Sequence, residues 1–252
     1  LLLLLTLLLM LPVAAQRHTV VFAPDSMLPT KWFRPVSLIG TRTVADVVWE
    51  QVNFLQSKGY LEASCDTCLT RADTSRCPLT VGPLYRWGRL RTQDIPEELT
   101  SLAGLRAKQI NGQPMNPRRI ANSMRLMLAE YENNGYPFAR LWLDSMRHGP
   151  DGFSAVLCAN RGRLVQYDSV VVRGTVRTSL RYLQASIGIK AGDTYNENVL
   201  HAVETRLREL PFVNQKQRPY VQFAPESTKL FLFLDARKAS SINGVLGLQP
   251  DP

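Results

Sequence analysis

Residues 59–63 read Gly-Tyr-Leu-Glu-Ala, and residues 135–139, 76 positions later, read Gly-Tyr-Pro-Phe-Ala. Three more markers recur at similar offsets of 82, 80 and 84 positions: a tyrosine in an arginine-flanked strand (Tyr85, Tyr167), a helix-opening asparagine (Asn116, Asn196) and an earlier glycine (Gly104, Gly188). Offsets that drift by only a few residues are typical of one supersecondary unit used in series. The sequence therefore predicts tandem small modules, an arrangement more typical of binding and scaffolding proteins than of enzymes.

Composition and charge restrict the class of protein. The 252 residues are 45% hydrophobic and 20% charged, which is typical of a globular protein with one or two ordinary domains or three small ones. The net charge is +9, and the arginines are scattered without a dense tract or a nucleic-acid-binding signature. The charge is compatible with an ordinary soluble protein or with an acidic partner, such as anionic lipid or an acidic polypeptide.

The amino-terminal segment is almost wholly apolar over residues 1–15 and ends in Val13-Ala14-Ala15, a small-residue cleavage pattern. A membrane-spanning helix needs about 20 apolar residues, so this run is short for a retained anchor. We expect residues 1–15 to be a secretory signal peptide, truncated at its start, with the mature chain beginning near Gln16.

Four cysteines fit an exported protein. Cys65, Cys68 and Cys77 are close in sequence, whereas Cys158 stands apart. A metal site is disfavoured because no histidine is nearby and a second ligand pair is missing. We expect a disulfide between Cys68 and Cys77 across a hairpin; Cys65–Cys77 pairing and free thiols are the alternatives.

The first unit is the least regular. A β-like stretch over 18–23 is followed by a proline-rich connection, then by a helix that Thr43 caps and Gly59 ends. Residues 60–68 and 77–81 are predicted to form a hairpin. A first helix is not evident.

The second and third units share one order of elements: strand, helix, helix, strand, strand. Each helix has one apolar face, so the pair must cover one face of a three-stranded sheet. The fold class is therefore α+β. In the second unit the strands are predicted at 85–91, 136–144 and 153–159, and the helices begin at residues 94–97 and at Asn116. In the third unit the strands are predicted at 167–173, 213–223 and 228–236, and the helices are capped by Thr178 and Asn196.

This order resembles the polypeptide-transport-associated (POTRA) domain. Residues 170–248 are most similar to the last such domain of the BamA and TamA outer-membrane assembly factors. The resemblance rests on four segments: 172–174 (Val-Arg-Gly), 188–196 (Gly-Ile-Lys-Ala-Gly-Asp-Thr-Tyr-Asn), 207–213 (Leu-Arg-Glu-Leu-Pro-Phe-Val) and 238–244 (Lys-Ala-Ser-Ser-Ile-Asn-Gly). It extends well over 85–252 and loosely over 18–83. It implies a degenerate POTRA-like domain at 16–83, two further domains at 84–164 and 165–238, and the start of a truncated outer-membrane β-barrel at 239–252.

The resemblance implies a periplasmic arm, attached to the bacterial outer membrane through the missing barrel. Its partners would be unfolded outer-membrane proteins or accessory periplasmic subunits, with no nucleic acid and no cofactor. The alternative is a barrel-less POTRA scaffold tethered by its apolar amino terminus, as in FtsQ-type division proteins.

Enzyme chemistry is not visible in the sequence. The three histidines are far apart, and no catalytic, phosphate-binding or dinucleotide-binding motif occurs, so we expect no catalytic, cofactor or metal residues. The remaining possibility is that the chain binds a peptide through backbone hydrogen bonds at a sheet edge. The strand at 228–236 is apolar on both faces and is predicted to be central, whereas Pro219 marks its neighbour as an edge. We expect the peptide-binding edge to include Val213, Val221 and Phe223.

Overall fold

The computed structural model describes residues 18–237. The predicted signal peptide at 1–15 and the predicted barrel start at 239–252 lie outside the described residues. Within them the strands form three separate sheets, one for each predicted unit. By compactness, 18–237 form two units (18–92, 104–123 and 143–157; 93–103, 124–142 and 158–237), and the second repeat contributes to both.

The third repeat follows the predicted order. It contains five elements: β8 (Ser169–Arg173), α5 (Leu180–Ile187), α6 (Glu197–Arg208), β9 (Val213–Phe223) and β10 (Thr228–Ala236). The sheet order is β8-β10-β9, with β10 parallel to β8 and antiparallel to β9. Leu230, Leu232 and Leu234 of β10 are fully buried in a core shared with Leu183 of α5 and Leu207 of α6. The strand alternation and the two helix faces therefore close one core, as the sequence predicts.

The second repeat has the same sheet order, β5-β7-β6. Its six elements are β5 (Trp87–Gln93), α2 (Glu97–Leu102), α3 (Ala107–Ile110), α4 (Pro117–Asn133), β6 (Arg140–Gly149) and β7 (Gly152–Asn160). The short helix α3 lies between the two helices that the sequence predicts. The α+β fold class with two copies of one unit is confirmed.

The first repeat departs from the prediction. Its sheet has four strands in the order β2-β1-β4-β3, so the expected three-stranded sheet under two helices is wrong here. The elements are β1 (Thr19–Pro24), a 3-10 turn (Thr30–Trp32), β2 (Val36–Ser37), α1 (Val44–Ser57), β3 (Leu69–Arg71) and β4 (Thr74–Leu79). The predicted strand at 60–68 is mostly turn and irregular backbone, because Ala63 N–H bonds back to Tyr60 and only Ser64 forms a bridge, to Thr80.

Other element boundaries also differ from the prediction. Ser179, not Thr178, caps α5, because its hydroxyl accepts the N–H of Tyr182 at 3.2 Å. Asn196 caps α6, and its side chain accepts the N–H of Val199 at 2.9 Å. Both asparagine caps were predicted, and Asn116 serves α4 in the same way through the N–H of Arg119.

The backbone hydrogen bonds establish the true repeat register. Trp87 N–H bonds Gln113 O at 2.9 Å, and Tyr167 N–H bonds Asp193 O at 2.9 Å, 80 positions later. Tyr167 is therefore equivalent to Trp87, and the predicted match to Tyr85 is wrong by two residues. The predicted glycine pair is offset by 84 rather than 80 because the third repeat has four more residues before its glycine, 21 positions from Tyr167 to Gly188 against 17 from Trp87 to Gly104. The second repeat has four more residues after its glycine, where α3 lies, and these restore the offset of 80 at Asn116 and Asn196.

In each Gly-Tyr string, the backbone of the glycine lies against a later segment of the chain. Gly59 (φ +98°) accepts the N–H of Tyr85 at 2.8 Å, and Gly135 (φ +92°) accepts the N–H of Val165 at 2.8 Å. A Cβ on Gly59 would lie 2.8 Å from Tyr85 O, and one on Gly135 would lie 2.5 Å from Thr194 Cγ2. Glycine is therefore required at both positions by backbone conformation and by close contact.

Candidate functional site

The candidate site is the free edge of β9 in the third repeat. Because β10 lies between β8 and β9, strand β9 has a ladder partner on only one side within residues 18–237. An edge strand exposes backbone N–H and C=O groups that an added strand can pair with. Most β9 side chains are exposed or half-buried, so the strand is accessible.

The register shows which backbone groups point outward. Ala224 N–H donates to Ser227 O at 2.8 Å, and Thr228 pairs with Phe223 next along the hairpin. In an antiparallel ladder, hydrogen-bonded and non-hydrogen-bonded pairs alternate. Gln222 is therefore in a hydrogen-bonded pair with Lys229, whereas the N–H and C=O groups of Val221 and Phe223 point away from β10.

The outward edge ends at an irregularity. The ladder between β9 and β10 shifts register between Phe231 and Phe233 and again between Phe233 and Leu234. Pro219 lies in the first of these shifts and has no N–H, a position that an edge strand tolerates. The regular outward edge is therefore short and centred on residues 220–223.

Val213 does not belong to this edge, which corrects the sequence prediction. Its side chain is 2% exposed and lies in the core of the third repeat. Its N–H donates to Leu210 O at 3.2 Å, so that donor is already used. The prediction took the whole strand as one edge, whereas the first residue of β9 is fixed against the end of α6.

An aromatic cluster lies on the sheet face opposite the buried leucines. The Tyr220 ring stacks on Phe231 at 5.2 Å and on Phe233 at 5.9 Å, and Tyr220 is half-exposed. Val171 of β8 pairs with Phe231 and extends the apolar surface. A strand added to β9 would place alternate side chains beside this cluster.

The other side of the edge borders a charged groove. A groove of about 310 Å³ lies between α6 and the first half of β9. Four of its charged lining residues are basic, and one is a carboxylate. The basic residues are Arg208, Lys216, Arg218 and Arg237, and the carboxylate is Glu204. Glu204 pairs with Arg208 at 3.2 Å and more loosely with Arg218 at 3.8 Å. The groove therefore retains an excess of positive charge beside the free edge.

The hairpin end of the edge is held by aromatic contacts. The Phe223 ring lies 5.0 Å from Phe138 and 5.5 Å from Tyr195. Burial raises the pKa of Tyr195, and its hydrogen bond to Glu197 raises that pKa further. Arg163 donates to Ala224 O at 2.8 Å. These contacts hold the edge in place before any ligand arrives.

The end of β10 is held by charged and polar contacts. The backbone N–H of Thr175, followed by its hydroxyl, holds the pKa of Asp235 below its ordinary value. Asp235 is therefore charged at neutral pH and pairs with Lys216 of β9 at 3.4 Å. The ion pair links β10 to β9 beyond the irregular part of the ladder.

The cysteines form a second cluster, in the first repeat. Cys68 and Cys77 are joined by a disulfide, and their Cα atoms are 4.3 Å apart. Cys65 is a half-buried thiol whose Sγ lies 3.9 Å from Cys68 Sγ. These three sulfurs are the one group of three or more potential metal-ligating side chains found among residues 18–237, and the disulfide uses two of them.

The histidines lie in three unrelated environments. His18 contacts the Ser75 hydroxyl at 2.7 Å, His148 packs against Phe153, and His201 pairs with Glu197 at 3.0 Å.

No helix in residues 18–237 has the length and apolar character needed to cross a membrane.

Comparisons with known proteins identify the fold. No protein-family model matches the chain, and no curated protein matches it in sequence. Among solved structures it is similar to BamA POTRA domains 3–5 from Haemophilus influenzae, with a TM-score of 0.52 and 13% identity over 91% of this chain and 100% of that one. This chain has the fold of tandem POTRA domains.

Two structures of Omp85 also match over much of the chain, with lower structural similarity. They are POTRA domains 1–3 of Omp85 from Anabaena (TM-score 0.36, 13% identity, 87% of this chain and 95% of that one) and the N-terminal domain of Omp85 from Thermosynechococcus elongatus (0.35, 15%, 86% and 96%). The match to BamA confirms the expected POTRA fold, and β9 is the edge strand of the third repeat's sheet. Peptide binding at that edge remains a prediction.

Proposed function

We propose that this chain is the periplasmic polypeptide-binding arm of an outer-membrane β-barrel assembly or translocation protein. The POTRA fold shared with BamA supports this proposal, as does the predicted signal peptide at 1–15. The barrel would follow the third domain, beginning in residues 239–252. The clients would be unfolded outer-membrane proteins or accessory periplasmic subunits.

The observation that carries the proposal is the direction of the backbone groups of Val221 and Phe223. Two N–H and two C=O groups point out of the sheet, so an extended client segment can pair as an additional strand. Backbone pairing depends little on the client sequence. It therefore suits clients that share β-strand character but no common motif.

The expected affinity of this edge is low. A net contribution of about 0.5–1.5 kcal/mol for each of four hydrogen bonds gives roughly 2–6 kcal/mol before the entropy of association is subtracted. A dissociation constant of 1 mM corresponds to about 4 kcal/mol. Pairing alone therefore gives weak, reversible capture, which suits a client that must be passed on.

Client side chains would supply the rest of the affinity. On one face they meet the aromatic cluster of Tyr220, Phe231 and Phe233. On the other they meet the groove beside α6, where the excess positive charge, carried by Arg218 and Arg237, favours acidic or polar side chains. The site would therefore prefer segments with alternating aromatic and polar residues over uniformly apolar ones.

The test compares Val221→Pro with Val221→Ala. Proline removes the outward N–H at Val221 without removing a bond to β10, whereas alanine keeps that N–H and removes most of the side chain. A labelled ten-residue peptide with alternating aromatic and polar residues is titrated by fluorescence anisotropy. We expect affinity to fall about tenfold or more in V221P, corresponding to about 1.4 kcal/mol, and by a smaller factor in V221A.

Far-UV circular dichroism measures whether both variants keep the fold. Equal affinity of V221P and wild type, with the fold intact, would reject capture at this edge.

A further inference from the structure

The three clustered cysteines lie at one end of the β3–β4 hairpin of the first repeat, in which β3 is the shorter strand. Cys65 belongs to the irregular segment 65–68, which has no ladder partner, and Cys68 directly precedes β3. Cys77 lies in β4 and is fully buried. Leu69 pairs with Arg76, so the disulfide extends the same register by one position and fastens β3 to β4.

We propose that Cys65, Cys68 and Cys77 form a thiol–disulfide exchange site. The Cys65 thiolate attacks Cys68 Sγ, the Cys65–Cys68 bond forms, the Cys68–Cys77 bond breaks, and Cys77 leaves as a thiolate that takes up the proton lost by Cys65. One disulfide and one thiol are present before and after the step. No external oxidant or reductant is needed.

The contact between Cys65 and Cys68 supports this direction of attack. Cys68 Sγ is disulfide-bonded and carries no proton, so Cys65 is the donor in the 3.9 Å sulfur contact. Thr67 O is an alternative acceptor at 3.7 Å. Cys68 is half-buried, whereas Cys77 lies within the core, so Cys68 is the more accessible sulfur. Once Cys77 has taken up the proton, the core accommodates it, because a buried thiol packs as a small hydrophobic side chain.

Exchange would release β3 from β4. All three residues of β3 are exposed, and the strand pairs with only three residues of β4. Without the disulfide, strand β3 remains joined to β4 by this short ladder and by the 2.7 Å hydrogen bond between the Thr70 and Ser75 hydroxyls. Strand β3 is an edge strand of the first sheet, so its release would expose the edge of β4. The cysteines therefore control access to a second sheet edge.

The environment of Cys65 makes the exchange slow near neutral pH. Burial, followed by the negative charge of Asp66, raises the pKa of the Cys65 thiol. Only the thiolate attacks a disulfide. The rate should therefore rise about tenfold per pH unit until the Cys65 pKa is reached.

Trypsin separates the two pairings cleanly. Cleavage after Lys58, Arg71, Arg76 and Arg86 places Cys65 and Cys68 together in peptide 59–71 and Cys77 alone in peptide 77–86. The Cys68–Cys77 bond yields these two peptides cross-linked. The Cys65–Cys68 bond yields peptide 59–71 with an internal disulfide and peptide 77–86 with an alkylated cysteine.

The experiment incubates the oxidised, purified chain at pH 7, 8 and 9, alkylates it with iodoacetamide at intervals, and maps the peptides by mass spectrometry. We expect the internally bonded peptide 59–71 to accumulate, about tenfold faster for each pH unit. Cys65→Ser should abolish it while the Cys68–Cys77 cross-link persists. Cys158→Ala, which changes a buried cysteine of the second repeat, should leave the rate unchanged.

Two results would overturn the proposal. One is an unchanged Cys68–Cys77 cross-link with Cys65 fully alkylated at pH 9 after days of incubation. The other is a cross-link between peptides 59–71 and 77–86 in which fragmentation finds the alkyl group on Cys68 rather than on Cys65, which would place the attack on Cys77 Sγ. Amide hydrogen exchange gives a separate readout, because residues 69–71 should exchange faster in the rearranged wild type and not in Cys65→Ser under the same conditions.

Discussion

At the residue scale, Gly59 shows why the Gly-Tyr string recurs. Its φ of +98° is a backbone angle that residues with a side chain rarely adopt. A Cβ there would lie 2.8 Å from Tyr85 O and 2.9 Å from Leu84 Cδ1. Tyr85 also donates its N–H to Gly59 O, so the following segment is fixed against this glycine. The segment has little freedom to retreat from an added methyl group.

Gly59→Ala should therefore be strongly destabilising. We expect the free energy of unfolding to fall by about 2–4 kcal/mol, from backbone strain together with overpacking against Tyr85. Gly112→Ala is the matched control, because Gly112 has φ +77° but a Cβ added there would have no atom within 4 Å. It should lose only the strain contribution, about 1–2 kcal/mol. Urea unfolding measures both, and equal losses would contradict the role of close contact.

The residue-scale prediction from sequence was partly right. The recurring Gly-Tyr strings and the two asparagine caps were predictable because both depend on local backbone geometry. The match between Tyr85 and Tyr167 was wrong, because residue identity suggested it while the hydrogen bonds pair Tyr167 with the position of Trp87. The equivalent residues, Trp87 and Tyr167, are both buried and aromatic. Because one is tryptophan and the other tyrosine, a comparison of residue identity does not pair them.

At the element scale, β9 and β10 were predicted with the bounds that the structure has. The reason is that β10 alternates fully buried leucines with half-buried phenylalanines, and Pro219 restricts its neighbour to an edge. The first repeat was harder. Strand β3 is three exposed residues with no apolar alternation, so the sequence gives no sign of where it begins. Its pairing depends on β4, which comes later in the chain.

The ladder register predicts different effects for two adjacent prolines in β9. Gln222 is in a hydrogen-bonded pair with Lys229, so Gln222→Pro removes a bond within the sheet. Val221→Pro removes only an outward N–H. We expect Gln222→Pro to lower the free energy of unfolding by about 1–3 kcal/mol more than Val221→Pro does. Thermal or urea unfolding of the two variants decides, and a larger loss in Val221→Pro would show that the register is inverted.

At the scale of the whole molecule, the repeat itself was the most predictable feature. A unit written in series gives its order of elements more than once, so the second and third repeats support each other. The four-stranded first sheet was not predictable, because its parallel pairing of β1 with β4 joins segments that are far apart in the chain, with Thr19 opposite Thr74. The outward direction of Val221 and Phe223 was expected from the edge assignment, but only the hairpin register established it. The burial of Val213 depends on the end of α6, a tertiary contact that strand alternation does not encode.

The proposed function depends on the capture of an extended polypeptide by the backbone of β9. The most direct test is residue-resolved amide hydrogen exchange by NMR, with and without a saturating peptide of alternating aromatic and polar residues. Capture at β9 should protect the amides of Val221 and Phe223, while Gln222, already bonded to β10, changes little. Unchanged exchange at Val221 and Phe223 under saturating peptide would contradict it, whether or not protection appears elsewhere in residues 18–237.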